Sequence, residues 1–398
     1  MAPPPEHPPA VQVQGPLWRL PGMQALVGVG LVAFGSFSLT IASLPAHAVA
    51  EGAGVQLAGV VTTVMLVATV ASQTGVPALV RRLGTGRVLA AGLLALGLPA
   101  PLYTLDAGVG WLSAVSAVRG FGFAVLTVLA FTLAAGLVQP ARRGEAIGVF
   151  GVSVALPNLA AVPAGAALTL GGHFPWVAWL AAMPVLGVLL VPAVARAATV
   201  TPPGQRQGGV GTAARAAAAP SLLLLLVTVT GGGLITFLPI ERPDGATATL
   251  ALLVLGLGAA LTRWRVGALA DRAGSRVLLP AAVLVSAAGI ALVAGGLVLD
   301  RGGDVVVVLG AAVFGAGNGA LQNLTLLAAF ARAGEGGTTA ASAVWNASFD
   351  SGTAIGAVGV GVLAGAVGLP VAYVLLAVVL SAVVPVAVAA ARSGPGPG

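Results

Sequence analysis

Gly267-Ala-Leu-Ala-Asp271-Arg272-Ala-Gly274-Ser-Arg276 packs three charges and two glycines into ten residues between two long apolar runs. Its chemistry suits a tight turn at a lipid surface. The glycines permit the reversal, Arg272 and Arg276 meet anionic headgroups, and Asp271 is placed to face the positive end of a helix. A turn of this kind is useful only where helices leave and re-enter a bilayer, so the flanking sequence must supply membrane spans.

It does. The chain has 398 residues, of which 58% are hydrophobic and 7% charged, and its mean hydropathy is +1.03. Soluble domains carry roughly a quarter charged residues. The apolar runs reach about 20 residues, the length that crosses hydrocarbon as a helix, and they lack the short alternating pattern of a β-barrel. Cysteine is absent, which excludes disulfides, thiolate metal sites and cysteine nucleophiles. All 18 basic residues are arginine. With abundant Ala, Gly and Val, that is the mark of a GC-rich, bacterial genome. The net charge of +7 would suggest nucleic acid in a soluble protein. Here the arginines lie in loops and report topology, so no nucleic-acid partner is expected.

The fold class expected is an all-α integral membrane protein of about twelve spans. They fall near residues 24–47, 55–80, 87–105, 110–138, 144–170, 174–196, 219–240, 246–266, 276–298, 304–331, 338–364 and 368–391. Residues 1–20, rich in proline, read as a disordered cytoplasmic tail and not as a signal peptide. With both termini cytoplasmic, fifteen arginines sort to the inner side, Arg263 and Arg265 among them, and only Arg242 and Arg301 to the outer. The outer loops hold Glu51, Asp106, Glu241, Asp244, Asp300 and Asp304. An odd number of spans would scramble this sorting.

The chain also repeats. Ser43-Leu-Pro45 closes the first span as Phe237-Leu-Pro239 closes the seventh, and Arg82-Leu-Gly84-Thr-Gly-Arg87-Val-Leu recurs as Arg272-Ala-Gly274-Ser-Arg276-Val-Leu. Two six-helix bundles follow, 21–196 and 219–392, joined by a cytoplasmic linker at 197–218 around Pro202-Pro203-Gly204, with a tail at 393–398.

Gly267–Arg276 resembles the signature loop G-x-L-A-D-R-x-G-x-R of the major facilitator superfamily, and the resemblance extends over residues 24–391. The equivalent first-half turn departs from it: Pro77 stands at the motif glycine and Arg81 at its aspartate. An inner gate of two unlike clusters is therefore expected. In one, Arg81, beside Arg82, pairs with Glu335; in the other, Asp271 faces Arg142 and Arg143. Arg119, in the fourth span, is similar to the arginine of the family's R-x-x-x-G motif, which implies a role in proton or substrate coupling. The alternative is a structural arginine satisfied by backbone carbonyls.

Trp345-Asn346-Ala-Ser-Phe349-Asp350-Ser-Gly352 resembles the eleventh helix of bacterial arabinose-efflux-like permeases and drug or metabolite exporters. Asn346 and Asp350 share a helix face, and Asp350 is the one acid placed near mid-membrane. An ionised carboxylate there is costly unless neutralised, so Asp350 is the candidate proton carrier, or else it pairs with Arg119. Leu156-Pro157-Asn158-Leu-Ala-Ala161-Val162-Pro163 resembles the antiporter motif of the same exporters, with Ala161-Val162 replacing Gly-Pro. Asn158, Asn346, Asn318 and Gln322 are candidate substrate contacts, with Thr40 and Thr236 behind them. Gly315-Ala-Gly317-Asn-Gly319 lies in an apolar helix and reads as a packing surface, not a nucleotide loop.

The expectation is a monomeric, multi-pass protein of the bacterial inner membrane. Its activity would be proton-coupled export of a small organic molecule, without metal or cofactor and without enzymatic activity. An uncoupled facilitator or importer of a small polar solute is the alternative, and a membrane enzyme or receptor a more distant one.

Overall fold

The computed structural model describes residues 16–73, 75–138, 142–197, 210–273, 275–333 and 338–392. Among the described residues, twelve helical spans are long and apolar enough to cross a membrane. The first six are α1 (Pro21–Ala50), α2 (Val55–Gln73), α3 (Thr85–Thr104), α4 (Val109–Gly136), α5 (Arg143–Leu170) and α6 (Phe174–Ala197). They are followed by α7 (Val210–Glu241), α8 (Ala246–Ala273), α9 (Ser275–Val298), α10 (Gly303–Ala333), α11 (Thr338–Val367) and α12 (Leu369–Ala391). The even count returns the chain to the side on which α1 begins, here called the terminal side, with the opposite face the far side.

Three boundaries differ from the sequence expectation. The second span stops at Gln73 and resumes as a separate helix, Val76–Leu83. Pro77 has no N–H for the Gln73 carbonyl, which breaks the ladder there. Gly84 then makes the reversal at φ 83°, a conformation that only glycine adopts without strain. The eighth helix runs on to Ala273, so most of the signature loop is the last turns of α8. Of the segment read as linker, residues from Val210 onward are already helical.

Lipid offers no hydrophobic drive for helices to associate, so close packing of small residues takes that role. On α10, Gly315 rests on the backbone of Leu255, Gly317 on Ser286 and Gly319 on Ala259, leaving no room for a Cβ. Each half holds its own apolar core, one around Leu26, Leu93, Phe123 and Phe150, the other around Leu224, Phe237, Phe314 and Tyr373.

A smaller cluster joins the halves: Ile41 and Ala42 of α1, Val162 and Ala166 of α5 and Leu252 of α8, packed by Phe37 and Ile235. It lies toward the far side. The two apolar clusters nearest the terminal side each stay within one half, Leu17, Met23, Val138 and Ala146 in the first, Ala217, Ala329 and Ala341 in the second. The other seam between halves is α2 against α11. There Gly59 meets the Ala357 carbonyl so closely that no side chain fits, and Thr63 Oγ1 donates to the Ala354 carbonyl at 2.7 Å.

Candidate functional site

Arg119 of α4 is fully buried. Its guanidinium makes five hydrogen bonds: Nε to the Leu96 carbonyl (2.9 Å), Nη1 to Thr40 Oγ1 (3.2 Å) and Tyr103 Oη (3.1 Å), and Nη2 to Ser36 Oγ (2.8 Å) and the Ser36 carbonyl (3.3 Å). The partners are themselves fixed. Tyr103 Oη is bonded to Ser116 Oγ, and Ser36 Oγ donates to the Ala181 carbonyl. Each of these groups around the charge is neutral, and all belong to the first half. The cation is held by dipoles that together replace its water.

Asp350 of α11 is buried, 7% exposed, and its Oδ2 accepts from Gln73 Nε2 at 3.1 Å. The same amide nitrogen lies 3.3 Å from Thr127 Oγ1, whose hydroxyl donates to the Ala124 carbonyl at 3.1 Å. Because the threonine proton is committed to that carbonyl, Gln73 directs one N–H to each neighbour. The chain of bonds links α2, α4 and α11, and so the two halves. The Pro77 break places Gln73 at the helix end from which its side chain spans this seam.

Arg119 and Asp350 are not brought together. Arg119 stands about 15 Å of helix from the far-side start of α4, whereas Asp350 stands about 25 Å from the far-side end of α11. The depth of Asp350 is thus displaced from mid-membrane toward the terminal side. An ion pair joins Arg242 Nε to Asp304 Oδ1, 3.1 Å, at the far-side rim.

A second arginine stands inside the helical bundle, where the sequence predicts only Arg119. Arg263 of α8 lies about 15 Å of helix before Ala273, and its Nη1 donates to Gln322 Oε1 of α10 at 3.1 Å. Asn323 Nδ2 donates to the Arg263 carbonyl at 2.9 Å, and Thr262 Oγ1 to the Ala316 carbonyl at 2.8 Å, so α8 and α10 are locked in register around it. One turn from Gln322, Asn318 Oδ1 is buried without a hydrogen-bond partner among the described residues. The contact of Trp345 Nε1 with Thr325 Oγ1, 3.0 Å, registers α10 against α11. Counting helix rise from it, Gln322 and Asp350 stand within about 3 Å of the same level. They occupy different flanks, since α8 packs on α5 and α11 on α2.

The sequence profile of the Major Facilitator Superfamily matches residues 26–357. The chain belongs to that family. Solved transporters share its fold throughout. A bacterial homologue of the human lysosomal transporter Spinster, inward-facing and unoccupied, is 17% identical with a TM-score of 0.75, covering 96% of this chain and 100% of its own. The nucleoside transporter NupG is 12% identical with a TM-score of 0.71, over 93% and 98%. A POT family transporter in complex with 5-aminolevulinic acid is 14% identical with a TM-score of 0.78, over 96% and 98%. At such identities the likeness is one of fold. No curated protein sequence matches significantly. The chain is thus a multi-pass membrane protein of a family of secondary transporters.

Within this family fold the remaining candidates separate. Thr40 is engaged by Arg119 and donates to the Ser36 carbonyl, so it serves the buried charge. Asn158 is exposed, accepts from Ser38 Oγ at 3.0 Å and donates to the Val154 carbonyl. Asn346 is half-buried, one turn from Asp350. Thr236 is buried with its hydroxyl unpartnered among the described residues.

Of the gate residues, Arg81 and Arg82 end the short helix after α2 and Arg276 lies in the first turn of α9, all exposed. Gly267, Asp271 and Arg272 lie in the helical end of α8 and Arg143 opens α5, while Gly274 and Glu335 lie outside the described residues. The expected pairings of Arg81 with Glu335 and of Asp271 with Arg143 therefore fall beyond what is described.

Sequence reasoning missed Gln73 and Arg263. The polar run Ser72-Gln73-Thr74 before Gly75-x-Pro77 marks the first. For the second, Arg263-Trp-Arg265 shows that two arginines about 200° apart on a helix cannot both face outward, but not which of them turns in.

Proposed function

We propose that this protein is a proton-coupled secondary transporter that exports a small organic molecule across a bacterial inner membrane by alternating access, with Asp350 carrying the proton. The observation that carries the reading is the position of Asp350: a buried carboxyl on the seam between halves, bonded to a neutral amide of the other half and, among the described residues, to no cation. Removing a carboxylate from water costs several kcal/mol unless a partner charge or a proton compensates.

The bond to Gln73 depends on that proton. A hydrogen bond to an ionised group contributes about 1.5–3 kcal/mol and one between neutral groups about 0.5–1.5 kcal/mol. Protonation therefore weakens the tie between halves by about 1 kcal/mol, a several-fold shift in a two-state equilibrium. The far-side apolar cluster between halves suits a molecule open toward the terminal side, from which an exporter would load. Asn158, Asn346, Asn318 and Gln322 are the polar contacts offered to cargo.

The test is substrate-dependent proton movement in proteoliposomes. Asp350→Asn is expected to retain binding and lose proton movement by about tenfold or more, and Gln73→Ala to weaken coupling several-fold. Transport by the unaltered protein without any proton flux would favour the uncoupled facilitator, for which the scarcity of acids within the spans argues.

A further inference from the structure

We infer that Arg263 and Asn318 select the cargo: the Arg263 guanidinium holds an anionic group and the Asn318 side-chain carbonyl accepts from a neighbouring hydroxyl or amine, so the transported molecule is a small hydroxylated or amino-bearing organic anion. The inference rests on the transport reading and adds a substrate class to it.

The two arginines within the spans supply the argument. A guanidinium has five N–H donors. Arg119 uses three nitrogens in five hydrogen bonds to groups of its own half. Arg263 gives one bond, to a neutral amide oxygen, and among the described residues no carboxylate lies against it. A charge among membrane helices without a counter-ion is costly, and its usual explanation is a functional one. The remaining N–H groups form a planar fork that matches carboxylate or phosphate oxygens.

The neighbouring observation is independent. Buried polar atoms are nearly always hydrogen-bonded, yet Asn318 Oδ1 has no partner among the described residues. Asn318 and Gln322 are four residues apart on α10, so this acceptor stands about 6 Å along the helix from the amide that holds Arg263. A ligand with an anionic end and a donor two or three bonds away satisfies both at once. Gln322 sets the guanidinium, and Asn323, bonded to the Arg263 carbonyl, sets the backbone beneath it. The site is thus positioned before any ligand arrives, which lowers the ordering cost of binding.

The experiment uses the full-length protein in nanodiscs of zwitterionic phosphatidylcholine. Binding is read by thermal shift and calorimetry with probes built on a six-carbon polyol: gluconate, glucose 6-phosphate, glucose and N-methylglucamine. The inference expects one or both anions to bind and the neutral and cationic sugars to bind at least about tenfold more weakly. Arg263→Gln should remove the anion preference, Arg263→Lys should restore part of it, and Asn318→Ala should weaken gluconate several-fold while leaving hexanoate, which has no hydroxyl, unchanged.

Competition by added phosphatidylglycerol would assign Arg263 to a lipid headgroup and overturn the cargo assignment. Equal binding of glucose and gluconate, absence of anion binding, or an unchanged preference in Arg263→Gln would overturn it as well. In those cases intact proton coupling through Asp350 would show that the transport reading itself stands. Loss of that coupling in the unaltered protein, with the anion preference retained, would leave the anion site in place and overturn proton-coupled transport instead.

Discussion

The two halves repeat one another in sequence and architecture, yet each treats a buried arginine differently. In the first half Arg119 is enclosed by hydroxyls and carbonyls from α1 and α3 and is sealed from solvent. In the second half Arg263 shares a single amide with α10 and keeps donors in reserve. The same guanidinium is fully bonded in one bundle and holds unused donors in the other. What decides the role is how many donors the surroundings satisfy.

The contrast can be broken most severely at Arg119. Arg119→Gln orphans Ser36, Tyr103 and the Leu96 carbonyl together, and is expected to destabilise the protein by on the order of 3 kcal/mol, read as a large fall in melting temperature and in folded yield. Arg119→Lys should not rescue it, since an ammonium cannot reproduce the fork. Next in size is Gln322→Glu, which gives Arg263 a carboxylate of its own. It should raise thermal stability by about 1–2 kcal/mol through a charge-assisted bond and abolish anion binding, making the second half resemble the first.

Tyr103→Phe removes one of the five bonds to Arg119 and should cost about 1 kcal/mol, measured by the same melting curves. Arg263→Gln, assayed without ligand, should cost no more than about 1 kcal/mol, since it gives up only the one bond to Gln322. A loss there as large as that at Arg119 would mean that both arginines are structural posts.

The architecture was legible because hydropathy, arginine sorting and the repeated turns of the two halves each report topology independently. Asp350 was legible because an acid inside a span is rare enough to mark itself. Arg263 was not, because an arginine within reach of a helix end reads as a loop charge; only the partner helix, α10, reveals that it points inward. Gln73 was hidden for another reason. Its meaning comes from Pro77 breaking α2 just after it and from a residue 277 positions later in the chain. The alternative pairing of Arg119 with Asp350 is not formed because the two differ in depth, and span boundaries read from hydropathy do not register one helix against another.

The contact of Gly59 with the Ala357 carbonyl brings α2 and α11 together so tightly that any tilt of one against the other would turn about it. Gln73 is fourteen residues further along α2, a lever arm of about 21 Å. A tilt of about five degrees about that point displaces the arm's end by about 2 Å, enough to lengthen the 3.1 Å bond from Gln73 to Asp350 beyond hydrogen-bonding reach. In the alternating-access cycle we propose, a rotation too small to open a passage would already break this contact, so the carboxyl would register the start of the stroke before the gate moves.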